Sequence, residues 1–310
     1  MKKITFRPLL GILVLICVLF FTSGLKGNNA SNKIETRTMK IEKNFTGLKA
    51  QQGMEITYTQ NNKSPVALIT GPKNLITGLT GNINKEGVLS FRFPKNIKKI
   101  KGTIKIQLNG KMLNDYGASS SGSLIVTTEV KNSETLNFTA SSSGKIKMLQ
   151  GVSGKEINIA TSSSGSVRFE GNLKVNKTNV ASSSGSYTKM ISLNTGILNY
   201  AGSSSGMLNI NSLIANNLNA TVSSGGEIEV YQCQSENTNI VSSSGAEVDL
   251  KNINTKNLSL SASSGGTINV TGQCKSSSMI ASSSGSINAK GLISQKVKQQ
   301  SLSSGGTIKL

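Results

Sequence analysis

The sequence predicts an all-β fold, a right-handed parallel β-helix of about ten coils with an irregular β cap at its N-terminal side. Three observations carry this. The first is a repeat: A-S-S-S-G at Ala118–Gly122 returns at Ala140–Gly144, Ala181–Gly185 and Ala281–Gly285. Close variants end at Gly165, Gly206, Gly226, Gly245, Gly266 and Gly306, so successive glycines stand 22, 21, 20, 21, 20, 19, 21, 19 and 21 residues apart. A fixed period near 20 residues is the mark of a solenoid. The second is the alternation after each glycine, as in Leu124/Val126, Ile146/Met148, Ile228/Val230 and Ile308/Leu310. Period two with β-branched residues means a strand with one buried face. The third is the count of inward bands. A second alternating run precedes the serines (Leu136/Phe138/Ala140, Leu258/Leu260/Ala262). A third apolar site follows each glycine by seven or eight residues: Val130, Val152, Leu173, Leu193, Leu213 or Ile214, Cys233, Ile253, Cys274, and Leu292 or Ile293.

Three bands per turn make a three-sided coil, and no repeat contains a helical period. Coils stack at about 4.8 Å, so ten span on the order of 48 Å. The right hand follows from the usual crossover rule. Where the glycine spacing shortens, at Gly185, Gly245 and Gly285, the apolar residue stands five positions earlier (Val180, Ile240, Ile280). That predicts one residue removed from the bend before the serines.

Taken in order, residues 1–24 read as a signal peptide: Lys2, Lys3 and Arg7, then the apolar run from Leu9 to Phe21, then Thr22-Ser23-Gly24. The run is shorter than the roughly 20 residues of a membrane span; retention as an anchor is the alternative. Cys17 follows Ile16 inside the run and does not resemble a lipoprotein acceptor. Residues 25–33 are a polar linker. Residues 34–117 are β without serine bends: Met54/Ile56/Tyr58, Val66/Leu68, Leu89/Phe91/Phe93 and Ile104/Ile106/Leu108, each beside a glycine turn. This region forms irregular first coils and the cap that a solenoid needs. Residues 118–310 are the repeats.

The segments F-T-G-L-K-A-Q-Q-G-M-E-I-T-Y-T-Q-N-N, V-A-L-I-T-G-P-K-N-L, G-V-L-S-F-R-F and G-T-I-K-I-Q-L, with the serine–glycine coils after them, resemble the bacterial head GIN domain proteins, named as putative auto-transporter adhesins. The resemblance runs from about Ile41 to the C-terminus. It implies an exported all-β domain with a β-helical body and an adhesin-like role, and it supplies no catalytic or binding residues. The chain ends at Leu310 inside a strand, leaving no room for a C-terminal membrane barrel, so self-translocation is not expected.

The balance of 34 Lys+Arg against 14 Asp+Glu gives a formal charge of +20. Attraction to acidic polysaccharide or anionic lipid follows from it, as does simple solvation and edge protection by lysine. A basic segment, Arg92, Lys95, Lys98, Lys99, Lys101, Lys105 and Lys111, runs without an acid between Glu86 and Asp115 and is a candidate ligand-binding patch. Nucleic acid is not expected: the chain is exported and no aromatics interleave with the cations. The other candidate is the serine edge, a row of hydroxyls meeting a repetitive glycan. Its structural alternative is capping of the bend by serine, with glycine supplying the positive φ.

Catalysis has little to stand on. The chain has no His, and its two Asp are Asp115 and Asp249. The close carboxylate pairs, Glu227/Glu229 and Glu247/Asp249, point outward. No serine has an activating base, and no metal, phosphate or other cofactor motif is present. Cys233 and Cys274 fall in the third inward band two coils apart, roughly 9.6 Å by stacking, too far for a disulfide.

The expected function is an exported, non-enzymatic, adhesin-like envelope or surface module. It would contact polysaccharide, or another envelope component, through the serine edge or the basic patch. The competing readings are a structural envelope protein that binds itself or a protein partner, and a polysaccharide-degrading enzyme. The final coil stops at Ile308-Lys309-Leu310 with only Lys290, Lys296, Lys298 and Lys309 near it, so a homo-oligomer through that open coil is also expected.

Overall fold

The computed structural model describes residues 33–94, 97 and 102–310. The signal segment and all of the linker but Lys33 lie outside the described residues, as do Lys95, Lys98, Lys99 and Lys101. The first part of the chain forms β1 (Ile34–Lys40), β2 (Gly47–Ala50), β3 (Glu55–Gln60), β4 (Val66–Pro72), a single helical turn α1 (Lys73–Ile76), β5 (Thr80–Ile83), β6 (Val88–Arg92) and β7 (Lys105–Gly110). The first serine coils are β8 (Asp115–Ala118), β9 (Ser123–Val126), β10 (Val130–Lys131), β11 (Thr135–Ala140), β12 (Lys145–Met148) and β13 (Val152–Thr161). From there each coil is nearly one strand bent at its corners: β14 (Ser166–Ser182), β15 (Tyr187–Gly202), β16 (Met207–Val222), β17 (Glu227–Ser242), β18 (Glu247–Ala262), β19 (Thr267–Ala281) and β20 (Ser286–Leu302), with the short β21 (Thr307–Lys309) last.

Every pairing from β8 onward is parallel, coil on coil. The three predicted bands appear as three inward runs per coil. In β17 they are Ile228/Val230, Cys233/Ser235 and Thr238/Ile240/Ser242, all buried. The ladder between β16 and β17 skips Tyr231 and Glu236, which mark the two corners inside the strand. Leu213 points inward and Ile214 is exposed.

The N-terminal region has an order the repeat does not announce. β2 pairs in parallel with β8 and β3 with β9, so Gln51-Gln52-Gly53-Met54 takes the place of S-S-S-G in a further coil. One coil farther out, β6 pairs with β2 and β7 with β3. The coil formed first in sequence is therefore flanked on both sides by coils formed later. β4 then runs antiparallel to β7, β1 antiparallel to β4, and β5 antiparallel to β6. These reversals end the parallel stack. Leu75, Ile76 and Leu79 are buried at this end, and Arg37 donates to the carbonyls of Thr77 and Leu79 at 2.7 and 2.6 Å, tying β1 to the chain after α1.

The serine bend is a tight turn of four seats, for example Ser162-Ser163-Ser164-Gly165. Seats two and three have positive φ (48° at Ser163, 61° at Ser164), and the Gly165 N–H donates to the Ser162 carbonyl at 2.8 Å. That is the type I′ pattern. Between coils, the Ser143 N–H donates to the Ser163 carbonyl and the Ser164 N–H to the Ser184 carbonyl, each at 3.0 Å. The bend backbone thus satisfies itself along the rod. This corrects the expected roles. Among the described residues no seat-two hydroxyl makes a hydrogen bond; hydroxyls reach the bend from other positions, Ser186 Oγ accepting from the Ser183 N–H at 3.0 Å and Ser242 Oγ donating to the Ala246 carbonyl at 2.9 Å. In S-S-S-G turns the positive φ falls on serine, while seat four is glycine for want of space: a Cβ at Gly165 would stand 2.2 Å from the Ala140 carbonyl oxygen.

The uneven glycine spacing has a matching explanation. In Ser183-Ser184-Gly185-Ser186 the glycine has moved to seat three, with φ of 64°, and seat four carries Ser186. The turn starting at Ser243 does the same with Gly245 and Ala246. Neither bend has lost a residue. The coil before Gly285 is short, but its register shift lies between Leu250 and Ile253, opposite Thr271, at another corner. As a result Met279 is buried and Ile280, expected inside, is exposed.

The core changes character along the rod. Near the N-terminal side Tyr116 stacks on Phe138 at 4.9 Å, and Phe138 meets Phe169 edge-on at 5.0 Å. Toward the other end hydroxyls fill part of the interior, with Ser235 bonding Thr238 at 2.8 Å and Thr255 at 2.9 Å. Cys233 and Cys274 are buried, free thiols. They stand in different columns: Cys233 faces Ile253, whereas Cys274 faces Thr255.

Two outcomes are expected. A Ser163→Val variant should lose on the order of 1–3 kcal/mol, since a β-branched side chain is forced to positive φ. Ser163→Gly should match or exceed the wild type, and thermal melts of the three proteins check the order. Burial pushes the Cys233 thiol up to about 11, so almost no thiolate exists at neutral pH. A maleimide should leave Cys233 unmodified in native protein and label it in denaturant, as read by peptide mass spectrometry.

Candidate binding surface

Of the seven predicted cations, three are described. Arg92 ends β6 and Lys105 begins β7. Lys111 lies past the far end of β7, roughly 20 Å from Lys105 along an extended strand. Its carbonyl accepts the hydroxyl proton of Tyr58. The described cations therefore do not form one patch. Lys95, Lys98, Lys99 and Lys101 are outside the described residues.

The carboxylates named in the sequence do come together. Glu227 faces Glu247, and Glu229 faces Asp249, on neighbouring coils of an outer wall. Burial, then the charges of Glu247, Glu229 and Asp249, raise the Glu227 carboxyl above its ordinary range. Burial acts the same way on Glu229 but is outweighed. Lys251 Nζ at 2.6 Å and Asn209 Nδ2 at 2.7 Å, with Tyr231 nearby, leave Glu229 lower than usual. Asp249 accepts from Asn269 at 2.7 Å. Glu229 and Asp249 are thus held as hydrogen-bond acceptors by their own wall.

A more extensive feature lies on the wall that leads into the serine bend. In six successive coils an amide stands four residues before the bend: Asn137, Asn158, Asn179, Asn199, Asn219 and Asn239. Each donates its Nδ2 to the Oδ1 of the coil before, at 2.8–3.1 Å, and the first donates to Asp115. The carboxylate of Asp115 closes the ladder at the end where only an acceptor is needed. Sequence reasoning missed this ladder, although the signal was present: an Asn at constant offset from the serines, the same registration that aligned the apolar bands.

Between the amides and the first-seat serines runs a column of small residues, Gly117, Thr139, Ala160, Ala181, Ala201 and Thr221. Flanked by taller side chains, they floor a shallow trough parallel to the rod. Its central section encloses about 580 Å³. It continues toward Lys49, Glu86 and Asp115 at one end and toward the first-seat serines Ser203 and Ser223 at the other. Over seven coils it is roughly 30 Å long at about 4.8 Å per coil. Charged side chains enter only at the N-terminal end. Beside the trough, the corner carries the ten seat-two serines from Ser120 to Ser304, all at positive φ. Chemically the surface offers amide and hydroxyl groups at fixed intervals, with a floor of methyl groups and glycine.

The chain matches the family model for the putative auto-transporter adhesin, head GIN domain, over residues 44–231 and 232–310. No curated protein matches it. A putative adhesin from Parabacteroides merdae ATCC 43184 superposes with a TM-score of 0.56 at 17% identity, over 90% of this chain and 96% of that one. A putative adhesin from Parabacteroides distasonis ATCC 8503 gives 0.54 at 13% identity, over 91% and 98%. A protein of the same organism described as a putative lipid binding protein gives 0.50 at 19% identity, over 89% and 96%. Likeness at these identities is likeness of fold. The family match spans most of the described chain, from the coil around Gln51–Met54 to Leu310, and on that ground the protein belongs to the head GIN domain family of putative auto-transporter adhesins.

Proposed function

We propose that this protein is an exported, non-enzymatic surface-binding module that holds an extended, neutral polysaccharide along the trough beside the serine corner. One observation carries the reading. Seat two of the bend is serine in all ten repeats, at φ between 46° and 53°. Glycine suits that backbone better, and seat three alternates freely between serine and glycine. A non-glycine residue in this region costs about 1 kcal/mol or more. The seat-two hydroxyls return no hydrogen bond to the described residues. A strained residue kept ten times without internal compensation points to a role outside the chain. A polymer of sugar rings repeats at a spacing close to that of the coils, so its hydroxyls meet the amide and serine rows in register. The trough is neutral over most of its length, which favours a neutral polymer over an acidic one. Export is supported by the character of residues 1–24 and by the family's adhesin name.

The test joins stability to binding. Replacing Ser142, Ser163, Ser184 and Ser204 together by glycine should leave melting temperature unchanged or raised. Retention on insoluble neutral polysaccharides should fall by at least about tenfold, as expected from losing several hydrogen bonds of about 1 kcal/mol. Unchanged retention in the variant would sink the trough reading. Retention lost instead on Lys105→Ala, or abolished by moderate salt, would move the ligand to the basic segment.

A second reading, contact with another copy through the last coil, is favoured by exposed apolar side chains there. Ile293, Leu302 and Leu310 are all more than half exposed, and β21 pairs with β20 over only three residues. Sedimentation at high micromolar concentration should show dimers that vanish in an Ile293→Glu, Leu302→Glu variant. A strict monomer at moderate salt removes this reading.

A further inference from the structure

A different corner of the coil, the one that follows the strand after the serine bend, holds a cleft of about 560 Å³ unconnected with the trough argument. Its walls are the side chains of Asn211, Ser212, Gln232 and Asn252, with Lys189 at one edge. Tyr231, one of five tyrosines in the chain, lines it and is 40% exposed. Lys251 Nζ sits 4.6 Å from the centroid of that ring, over one of its faces. Behind the opening lies Asn209, only 7% exposed.

Asn209 helps settle the charge behind the cleft. Its Nδ2 donates to Glu229 Oε2 at 2.7 Å. A carboxylate accepts and does not donate, so this contact fixes which end of the amide is oxygen. That oxygen, Oδ1, is fully buried and has no hydrogen-bond partner among the described residues. Buried polar atoms of folded proteins almost always have partners. Glu229 is already engaged by Asn209 and Lys251, so the cleft carries no free negative charge. The corner backbone is irregular as well. Asn252 has φ of 50°, its N–H is held by Thr271 Oγ1 at 3.2 Å, and its Nδ2 points to the Tyr231 carbonyl at 3.4 Å. The ladder between β18 and β19 slips at this place.

We propose that this cleft is a binding site for a single neutral sugar residue. A ring C–H face packs on the exposed surface of Tyr231, and the amides of Asn211, Gln232 and Asn252 meet the ring hydroxyls. An aromatic platform with a few convergent polar groups is the general form of a small polar-ligand site. A bare cation does not fit, since Lys189 and Lys251 stand beside the opening. A carboxylate or phosphate has little to hold it, because Lys251 is already paired with Glu229 at 2.6 Å and the Asn209 Nδ2 is spent on the same carboxylate. The site stands independently of the trough and would hold whether or not a polymer binds there.

The experiment is saturation-transfer NMR on the full chain with four probes: D-glucose, D-galactose, D-mannose and N-acetyl-D-glucosamine. At least one should receive transfer through its ring protons. Its titration should shift the side-chain amide signals of Asn211, Gln232 and Asn252. Tyr231→Ala should weaken that sugar by about tenfold, the size expected for an aromatic contact, with an unchanged far-UV spectrum and melt. The four-serine glycine variant should bind it as wild type does, which separates this site from the trough. Absence of transfer to all four sugars, or equal binding by Tyr231→Ala, would overturn the proposal. Loss of binding in the serine variant with retention in Tyr231→Ala would do the same, by assigning the sugar to the trough.

Discussion

The structure depends on how closely one coil sits on the next at the serine corner. At that point the backbone of most coils reaches the backbone of its neighbour with no side chain between them; Met54, Ser186 and Ala246 are the exceptions, where the glycine stands in seat three. A Cβ at Gly144, Gly206 or Gly285 would stand 2.2–2.3 Å from backbone atoms of the coil below. Glycine in seat four is the local consequence. The wider one is registration. Once the corner peptides are hydrogen-bonded in a column, every other residue of the coil is placed by its offset from the bend. A position four before the serines falls on the same line in every coil, and a position two after them falls on the same buried band. Short coils must lose their residue at a corner away from the serines, and the coil around Thr271 does so. The bend can shift its glycine by a seat but cannot change length.

That registration explains what could be read from the sequence. Apolar alternation survives because an inward side chain has no other place to go, so the three bands, the parallel stack and the absence of helical repeats were legible in Leu124/Val126 and its counterparts. Glycine was legible as a marker but not as a cause, since spacing alone does not say which seat it fills. Ile280 was misplaced for that reason. The coil at Gln51–Met54 was hidden because its turn uses other residues for the same φ pattern, 56° at Gln52 and 70° at Gly53. Its insertion between β6–β7 and β8–β9 is a matter of long-range order, which no local pattern encodes. For the site, the serine row was visible at once, but its backbone role was not: serine carries the positive φ of seat two in every serine bend, and glycine supplies it only in seat three of five of them. The amide ladder was equally periodic, but asparagine reads as a turn former until its partners are known.

The outward rows obey a stricter condition than the inward ones. A buried band tolerates Val, Leu, Ile or Cys in turn, because apolar contact is undirected. A polar row on a stacked wall must match donor to acceptor at every step. Asn does this with itself, Nδ2 to Oδ1, and so can repeat indefinitely. The ladder ends at Asp115, which has only acceptors. Past Asn239 the column passes to Ser259 and Ser278. A second amide row, Asn217, Asn237 and Asn257, runs at another offset in the later coils and closes on the Ser276 hydroxyl. An amide inside a row spends one donor and one acceptor on its neighbours and keeps one of each, except Asn179, whose Nδ2 also donates to Glu156 Oε1 at 2.7 Å. The wall is therefore largely satisfied and still sticky to hydroxyl groups.

The position of the trough along the rod follows the core beneath it. Its floor runs from Gly117 to Thr221, above the coils where Tyr116, Phe138 and Phe169 pack and which border the N-terminal cap. Hydroxyls enter the interior as well, Thr161, Ser182, Thr188 and Thr195 beneath the trough and Ser235, Thr255 and Ser277 beyond it. A hydroxyl pair buries less apolar area than the Val or Leu it replaces, at about 25 cal/mol per Å². It adds direction in exchange: Thr161 is bonded to Ser182 and Ser186, and Ser235 to Thr255, each across neighbouring coils. A surface that reads a repetitive ligand needs its rows to hold register over many coils, because a slipped coil breaks the line. Directed bonds inside the stack and amide bonds on its wall hold that register together. The small floor is interrupted at Val241 and Ile280, with Ser261 between them and Ser301 beyond.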